Sequence, residues 1–319
     1  MTHLSATHRI GGHVAITTGT GTGPEAASCV AGEVAGEVEL ARYVYEPHPV
    51  PFEAPKPYVH PLRTLAGDVV TAYRPHDHVW HKGLQLTATD VSDVNIWGGH
   101  TYVAGEGYVA LDNIGAMRPD EPAHVATSGA DVTIHQDLTW LDAAAHPLVH
   151  EQRTLRAHTV DNAAGYWVLD ITTAVTNVRG QPLRFGSPHT RGLAGSGYTG
   201  LWWRGPRSFT GGALLTASGL VDEDTLRGQS APWVGYVGRH DEVDRSSTLV
   251  FCHAPENDID SAHWFVRTGQ FAGVNPSWAF HRSFDLPPED SFRRRYRVVI
   301  GTGAWSAEHT AHVVEAIPW

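Results

Sequence analysis

Basic charge is scarce in this chain. Lys and Arg total 23 against 34 Asp and Glu, a net charge of −11. A nucleic-acid partner needs a basic face and an anionic membrane attracts one, so neither partner is expected. Cysteine is nearly absent. Cys29 lies among small residues and Cys252 in the apolar run 249–252, and both read as reduced, inert thiols. Long apolar runs are missing, and nothing approaches the roughly 18 residues that span a bilayer. The first dozen residues are polar and carry histidines, without the apolar stretch of a secretory leader, so the cytoplasm is the expected compartment. Charge blocks, Ser/Gly linkers and fixed-period repeats are lacking too. A single β-sandwich domain over residues 1–319 is therefore expected, and homo-oligomers stay open.

What the chain has is glycine and proline, 33 and 20 of them, with 41% hydrophobic residues. That composition fits many turns between short strands around a sizeable core. Val132, Ile134, Leu138 and Trp140 alternate with Asp131, Thr133, Asp137 and Thr139. Trp167, Leu169, Ile171, Thr173 and Val175 repeat the pattern, as do Phe292, Tyr296, Val298 and Ile300. Period-2 runs of this kind are half-buried antiparallel strands. Shorter strands are expected at 69–73, 84–88, 108–111 and 248–251. Helices are few: Ser306 caps one over Ala307–Ala316, and a short one fits 24–35. The fold class is all-β, a large antiparallel sandwich of two stacked sheets.

Histidine is abundant, at 21. The densest cluster is 74–83, Arg-Pro-His-Asp-His-Val-Trp-His-Lys-Gly. On a strand His76 and His78 share a face, and His81 follows three residues later. A His-x-His pair with a third ligand is one route to a divalent metal ion, so His76 and His78 are the candidate metal ligands. The alternative is a polar loop whose histidines bond to backbone. A second group is 95–100, Asn-Ile-Trp-Gly-Gly-His, then Glu106. Trp97 offers a face to a sugar ring, and His100 and Glu106 offer an acid or a base. A third is 185–207, with His189, Arg204 and Arg207 in a Gly/Pro/Trp-rich stretch that reads as a loop over a site. A fourth holds Arg267 and Asn275; an inward Arg267 needs a partner or a substrate. Residues 19–23, Gly-Thr-Gly-Thr-Gly, lack the Gly-Lys-Ser/Thr of a phosphate loop.

The strings Pro-Tyr-Val-His-Pro-Leu at 57–62, the cluster 74–83 and Asn-Ile-Trp-Gly at 95–98 resemble the family DUF6807, often called PmoA-family proteins. The resemblance runs from about Tyr43 onward. The methane-oxygenase label attached to that name does not suit a chain without a membrane segment. The resemblance implies a supersandwich similar to galactose mutarotase-like proteins and a carbohydrate substrate. It also shows two departures. Trp80 stands where the family often has a middle histidine, which favours His78 and His81 as the working pair. Arg191 stands where related sequences tend to carry Glu.

Three functions follow from that resemblance. The first is cleavage of a 3-keto-glycoside by elimination or hydrolysis, with His81 or His189 as base. The enolate would be held by a metal on His76 and His78 or by the cation of Lys82 or Arg267. The second is a mutarotase or epimerase using His100, His189 and Glu106. The third is a non-catalytic sugar-binding module with Trp97, Trp202 and Trp203 as platforms. Arg74, Lys82, Trp97, Arg204, Arg207, Arg267 and Asn275 are the expected substrate contacts.

Overall fold

Alternation decides the layers. In the strand Val132–Leu141 the side chains of Val132, Ile134, Leu138 and Trp140 are buried, while Thr133, His135, Asp137 and Thr139 face outward. Tyr166–Asn177 and Ser291–Thr302 pair with each other in register from Tyr166↔Gly301 to Thr176↔Ser291. The computed structural model describes residues 2–20, 37–257 and 263–319. Cys29 and the helix expected over 24–35 lie outside the described residues.

Two antiparallel sheets dominate. The eight-stranded sheet runs, edge to edge, Thr2–Arg9, His13–Thr20, Val38–Val44, Tyr58–Leu62, Leu84–Ala88, Thr199–Arg204, Gly273–Ser277, His263–Arg267. The ten-stranded sheet centres on Val132–Leu141, Pro147–Asp161, Tyr166–Asn177, Ser291–Thr302 and Ser246–His253. Their inner faces share one apolar core. Trp140 stacks on Trp278 across it at 6.3 Å, and Trp203 packs on Tyr236 at 5.1 Å. The all-β sandwich expected from alternation is the architecture found.

The core also encloses charge. Glu151 is fully buried and takes hydrogen bonds from Arg153, from Trp140 Nε1 (2.8 Å) and from Thr173 (2.9 Å). The carboxylate is thereby paired and saturated, the condition under which a buried charge is tolerated.

The helix Ala307–Ala316 forms where expected, with Ser306 accepting from the His309 amide. It covers the outer face of the ten-stranded sheet through Val313 and Ile317, which explains why Val168, Val250 and Val299 are buried there too. Cys252 sits in this layer as a buried free thiol, and burial pushes it up to about 12. Residues 69–73 form no strand, only the single bridges Arg63↔Val69 and Tyr73↔Lys82, because the chain turns on both sides of them. Among the described residues no helix is long and apolar enough to cross a membrane.

His253 is buried against Trp264, and neither ring nitrogen has a hydrogen-bond partner among the described residues. Burial, helped by the Arg294 charge, pulls its pKa down to about 3. The unfolded chain then binds the extra proton first. Stability therefore falls as pH drops from about 6.5 toward 3, by up to about 1.4 kcal/mol per unit. Urea unfolding at pH 7.5 and pH 5 checks this: His253→Leu should flatten the loss over a range where carboxylates scarcely titrate. An unchanged slope would show that His253 is not the group responsible.

Candidate functional site

The period of two also builds the site. In Thr199–Arg204, Leu201 and Trp203 point into the sandwich core, so Trp202 and Arg204 point to the opposite face. In His263–Arg267, Trp264 and Val266 face the core, and Phe265 and Arg267 face the same way as Trp202. On that outer face Trp97, Trp202, Phe265, Phe271 and Phe280 form an aromatic cluster of their own, with Trp80 and Tyr198 packed against it. Above it opens a cleft of about 600 Å³.

The walls come from four loops and a short helix. Residues 78–81 supply His78, Trp80 and His81; residues 97–100 supply Trp97 and His100. Residues 193–198 supply Ser196 and Tyr198, and 267–271 supply Arg267, Gln270 and Phe271. Arg227 follows the helix Glu223–Leu226, and Tyr108 leans in from a hairpin. Of the residues singled out by sequence, the cleft gathers His78, His81, Trp97, His100 and Arg267. Tyr198, Gln270, Phe271, Arg227 and Tyr108 were not foreseen. Phe271 and Gln270 carried no local signal, but the Phe265/Arg267 alternation pointed to their side of the sheet.

The histidine loop is a turn, not a strand. The His78 amide donates to Pro75 (2.8 Å) and the His81 amide to His78 (2.9 Å). His76 and His78 therefore do not share a face. His76 is exposed and its Nδ1 accepts from Arg207 at 3.2 Å, while His78 enters the cleft. Among the described residues no three His, Cys, Asp or Glu side chains converge to hold a metal. With a guanidinium already on His76, the donor set does not fit the divalent ion expected from the His-x-His spacing.

The two ends of the loop are stapled to one carboxylate. Glu53 is 1% exposed; Lys82 Nζ lies 2.8 Å from it, and Arg74 grips it through Nε (3.0 Å) and Nη2 (2.6 Å). Burial works to raise the Glu53 carboxyl, but the bonds from Arg74 and Lys82 hold it below the usual carboxylate range. Arg74 and Lys82 are thus structural and do not reach the cleft, correcting the expectation that they touch substrate. Lys56, also buried, donates to the carbonyls of Glu53, Ala54 and Trp97 (2.7 Å for the last) and fixes the neighbouring turn. Asn95 completes that turn by accepting from the Trp97 and Gly98 amides at 2.9 Å. Gly99 must be glycine: φ is +71°, and a Cβ there would lie 2.6 Å from the Trp80 ring.

His81 and His78 stack at 4.9 Å but differ in environment. His81 is 2% exposed, and burial followed by the charge of Arg204 holds it well below 6.5. Arg204 Nη1 lies 3.3 Å from His81 Nδ1. A guanidinium only donates, so Nδ1 accepts and the ring proton sits on Nε2. His81 is a neutral N–H donor. Arg204 itself is buried, lies 3.9 Å over the Phe271 ring, and is pulled down to about 10 by burial. It positions His81 rather than substrate. His78 is partly exposed, with Nδ1 3.4 Å from Asp77, which Arg207 holds at 2.7 Å. Burial and Arg204 lower its pKa, Asp77 opposing. The Asp77 carboxylate beside Nδ1 favours the proton on that nitrogen, which leaves Nε2 to accept one.

The remaining expected residues lie elsewhere. His189 Nδ1 accepts from the Gly195 amide at 2.8 Å and packs on Phe280, outside the cleft lining. Glu106 is exposed at the tip of the hairpin. Asn275 is fully buried and clamps Thr199 and Leu201 backbone atoms. Arg207 holds Asp77, and Trp202 and Trp203 are both wholly buried, so neither is a platform. Arg191, in the position related sequences give to Glu, forms a two-pronged pair with Asp90 at 2.7 and 2.9 Å. Arg267 is tethered to Glu223 (3.2 Å), which also takes the Thr268 and Gly269 amides, and it meets the Tyr198 hydroxyl at the cleft wall.

The chain belongs to DUF6807, described as a family of unknown function, whose profile matches residues 33–315. No curated protein matches the sequence. Among solved structures it is similar to the galactose 1-epimerase of Lactobacillus acidophilus NCFM, at 11% identity and TM-score 0.39, covering 95% of this chain and 99% of that one. It is also similar to an α-galactosidase from Lactobacillus brevis, at 9% identity and TM-score 0.39, covering 86% of this chain. The chain spans 40% of the length of that α-galactosidase. A TPR-domain protein from Parabacteroides distasonis matches at 9% identity and TM-score 0.31, over 94% of this chain and 54% of that one.

Proposed function

We propose that this protein is a carbohydrate-active enzyme that cleaves a 3-keto-glycoside by elimination in the His78/His81 cleft. One observation carries the reading: among the described residues the cleft is lined by three imidazoles and two guanidinium groups, with no Asp or Glu. Direct glycoside hydrolysis in its usual form needs a carboxylate pair. Proton abstraction next to a ketone needs one free base and groups that stabilise an oxyanion. The aromatic walls suit the C–H faces of a sugar ring.

In this reading the C3 ketone acidifies the C2 proton, and His78 Nε2 removes it. The electron pair forms an enolate whose oxygen is stabilised by the Nε2–H of His81 and the charge of Arg267. The enolate collapses to restore the ketone, a C1–C2 double bond forms, and the C1–O bond breaks. The departing oxygen takes a proton from the cleft, where His78 now carries one and His100 stands exposed. Neither step calls on a metal.

The test is to offer the purified protein 3-keto-glycosides and the matching unoxidised glycosides. Release of aglycone from the keto form alone supports elimination. Anomer interconversion without release would favour an isomerase, and no reaction with either would sink both. The pH profile adds a second check. A base held below 6.5 is free at neutral pH, so kcat/KM should stay level through pH 7 and fall only on the acid side of 6.5. A fall beginning above pH 7 would contradict His78 as that base.

A further inference from the structure

A second hollow of about 310 Å³ adjoins the imidazole cleft and shares Thr89, His100 and Tyr108 with it. The two lie side by side with these residues as their common wall, and each volume falls within the roughly 300–1,000 Å³ typical of small-molecule sites. One wall of the second hollow is the hairpin of Thr101–Val103 and Gly107–Val109. Tyr102 and Tyr108 sit opposite each other in it, ring centroids 5.7 Å apart. Val103 and Leu111 continue this apolar wall, and Tyr108 and Leu111 are 51% and 42% exposed. Pro188 adds apolar surface from another segment of the chain.

Several polar side chains of the hollow are already engaged within the protein. Asn95 donates to Thr101 (3.1 Å), Thr101 to Asn113 (3.0 Å), and Asn113 to the Asp93 carbonyl (2.7 Å). Arg191 is spent on Asp90 and Asp93. Those pairings occupy Thr101, Asn113 and Arg191, whereas the tyrosine and leucine surface of the hairpin is uncovered. His100, exposed, stands where the two chambers meet.

We infer that the second hollow holds the leaving group of the glycoside, and that this group is an aryl aglycone whose linking oxygen lies beside His100. The inference rests on the proposed elimination for its chemistry but not for its binding. When the C1–O bond breaks, the aglycone leaves as a phenolate and takes up one proton to become a phenol.

The experiment compares phenyl and methyl 3-keto-glucopyranosides and a 3-keto disaccharide on wild type and Leu111→Asp. It also measures phenol binding to both proteins by ligand-observed NMR. Leu111 is partly exposed, so the variant should fold; Tyr102→Ala is the second variant. Leaving-group chemistry is the same in both enzymes, so a change in the phenyl-to-methyl ratio of kcat/KM reports recognition alone. The ratio should fall about tenfold in Leu111→Asp, and phenol binding should weaken likewise. An unchanged ratio with unchanged phenol binding overturns the inference, as does a disaccharide preferred over the phenyl compound. If no keto-glycoside is cleaved but the variant loses phenol binding, the aryl hollow stands and the elimination reading falls.

Discussion

Replacing His78 with alanine is expected to lower kcat/KM on a 3-keto-glycoside by about 10²–10⁴-fold, with the substrate still bound. His78 lies at the cleft, partly exposed, with its Nδ1 beside Asp77 and its other nitrogen open. The side chain is not in the sandwich core, so its loss should leave the unfolding midpoint nearly unchanged. Binding is measured separately on an unreactive glycoside. Lost turnover with retained affinity also removes the binding-module reading, which needs no titrating group. If His78→Ala turns over at the wild-type rate, His78 is not the base. Asp77→Asn should give a smaller loss, because it removes the neighbouring charge but leaves the imidazole in place.

Glu53→Ala should cost about 3–5 kcal/mol of stability, because it strands the buried Lys82 ammonium without the carboxylate it pairs with. Arg74 loses its partner at the same time, so both ends of the histidine loop come free. Urea unfolding measures the first effect and loss of glycoside binding the second. The double variant Glu53→Met, Lys82→Met removes both charges and should recover part of the stability, since two apolar side chains need no pairing. A change within about 0.5 kcal/mol for Glu53→Ala would show that the staple carries little. Acid works in the same direction. The Glu53 pKa is held down in the folded state, so its contribution is present above the unfolded carboxyl pKa and is lost as pH falls below it.

The strands were legible because their signal is local. Alternating side chains predicted Val132–Leu141, Tyr166–Asn177 and Ser291–Thr302, and the Ser306 cap predicted the last helix. The same alternation, applied to 199–204, separates Trp202 from Trp203 and puts Arg204 with Trp202 on the site face. That rule alone keeps the two tryptophans from sharing a face as sugar platforms. In 74–83 the period of two does not apply, because Pro75 and Asp77 favour a turn, and His76 and His78 part company. The roles of Arg74 and Lys82 depend on Glu53, twenty and more residues upstream, and nothing in the local string announces such a partner. Arg204 looks like a substrate contact in sequence because arginine binds carboxylates and hydroxyls. Its burial beneath His81 turns it into the group that fixes a tautomer. Asn275 and His189 are similar cases: the sequence offers the first as a substrate contact and the second as an acid or base, and both bond to backbone.

The fate of the C2 hydrogen is the most direct test of the elimination. A 3-keto-glycoside incubated with the protein in deuterated water is followed by NMR to product. Elimination predicts that the C2 hydrogen is lost, leaving an unsaturated sugar or, after water adds, a product carrying deuterium at C2, with solvent controls unlabelled over the same time. Aglycone release with the C2 hydrogen retained would mean direct displacement at C1 and would contradict the account.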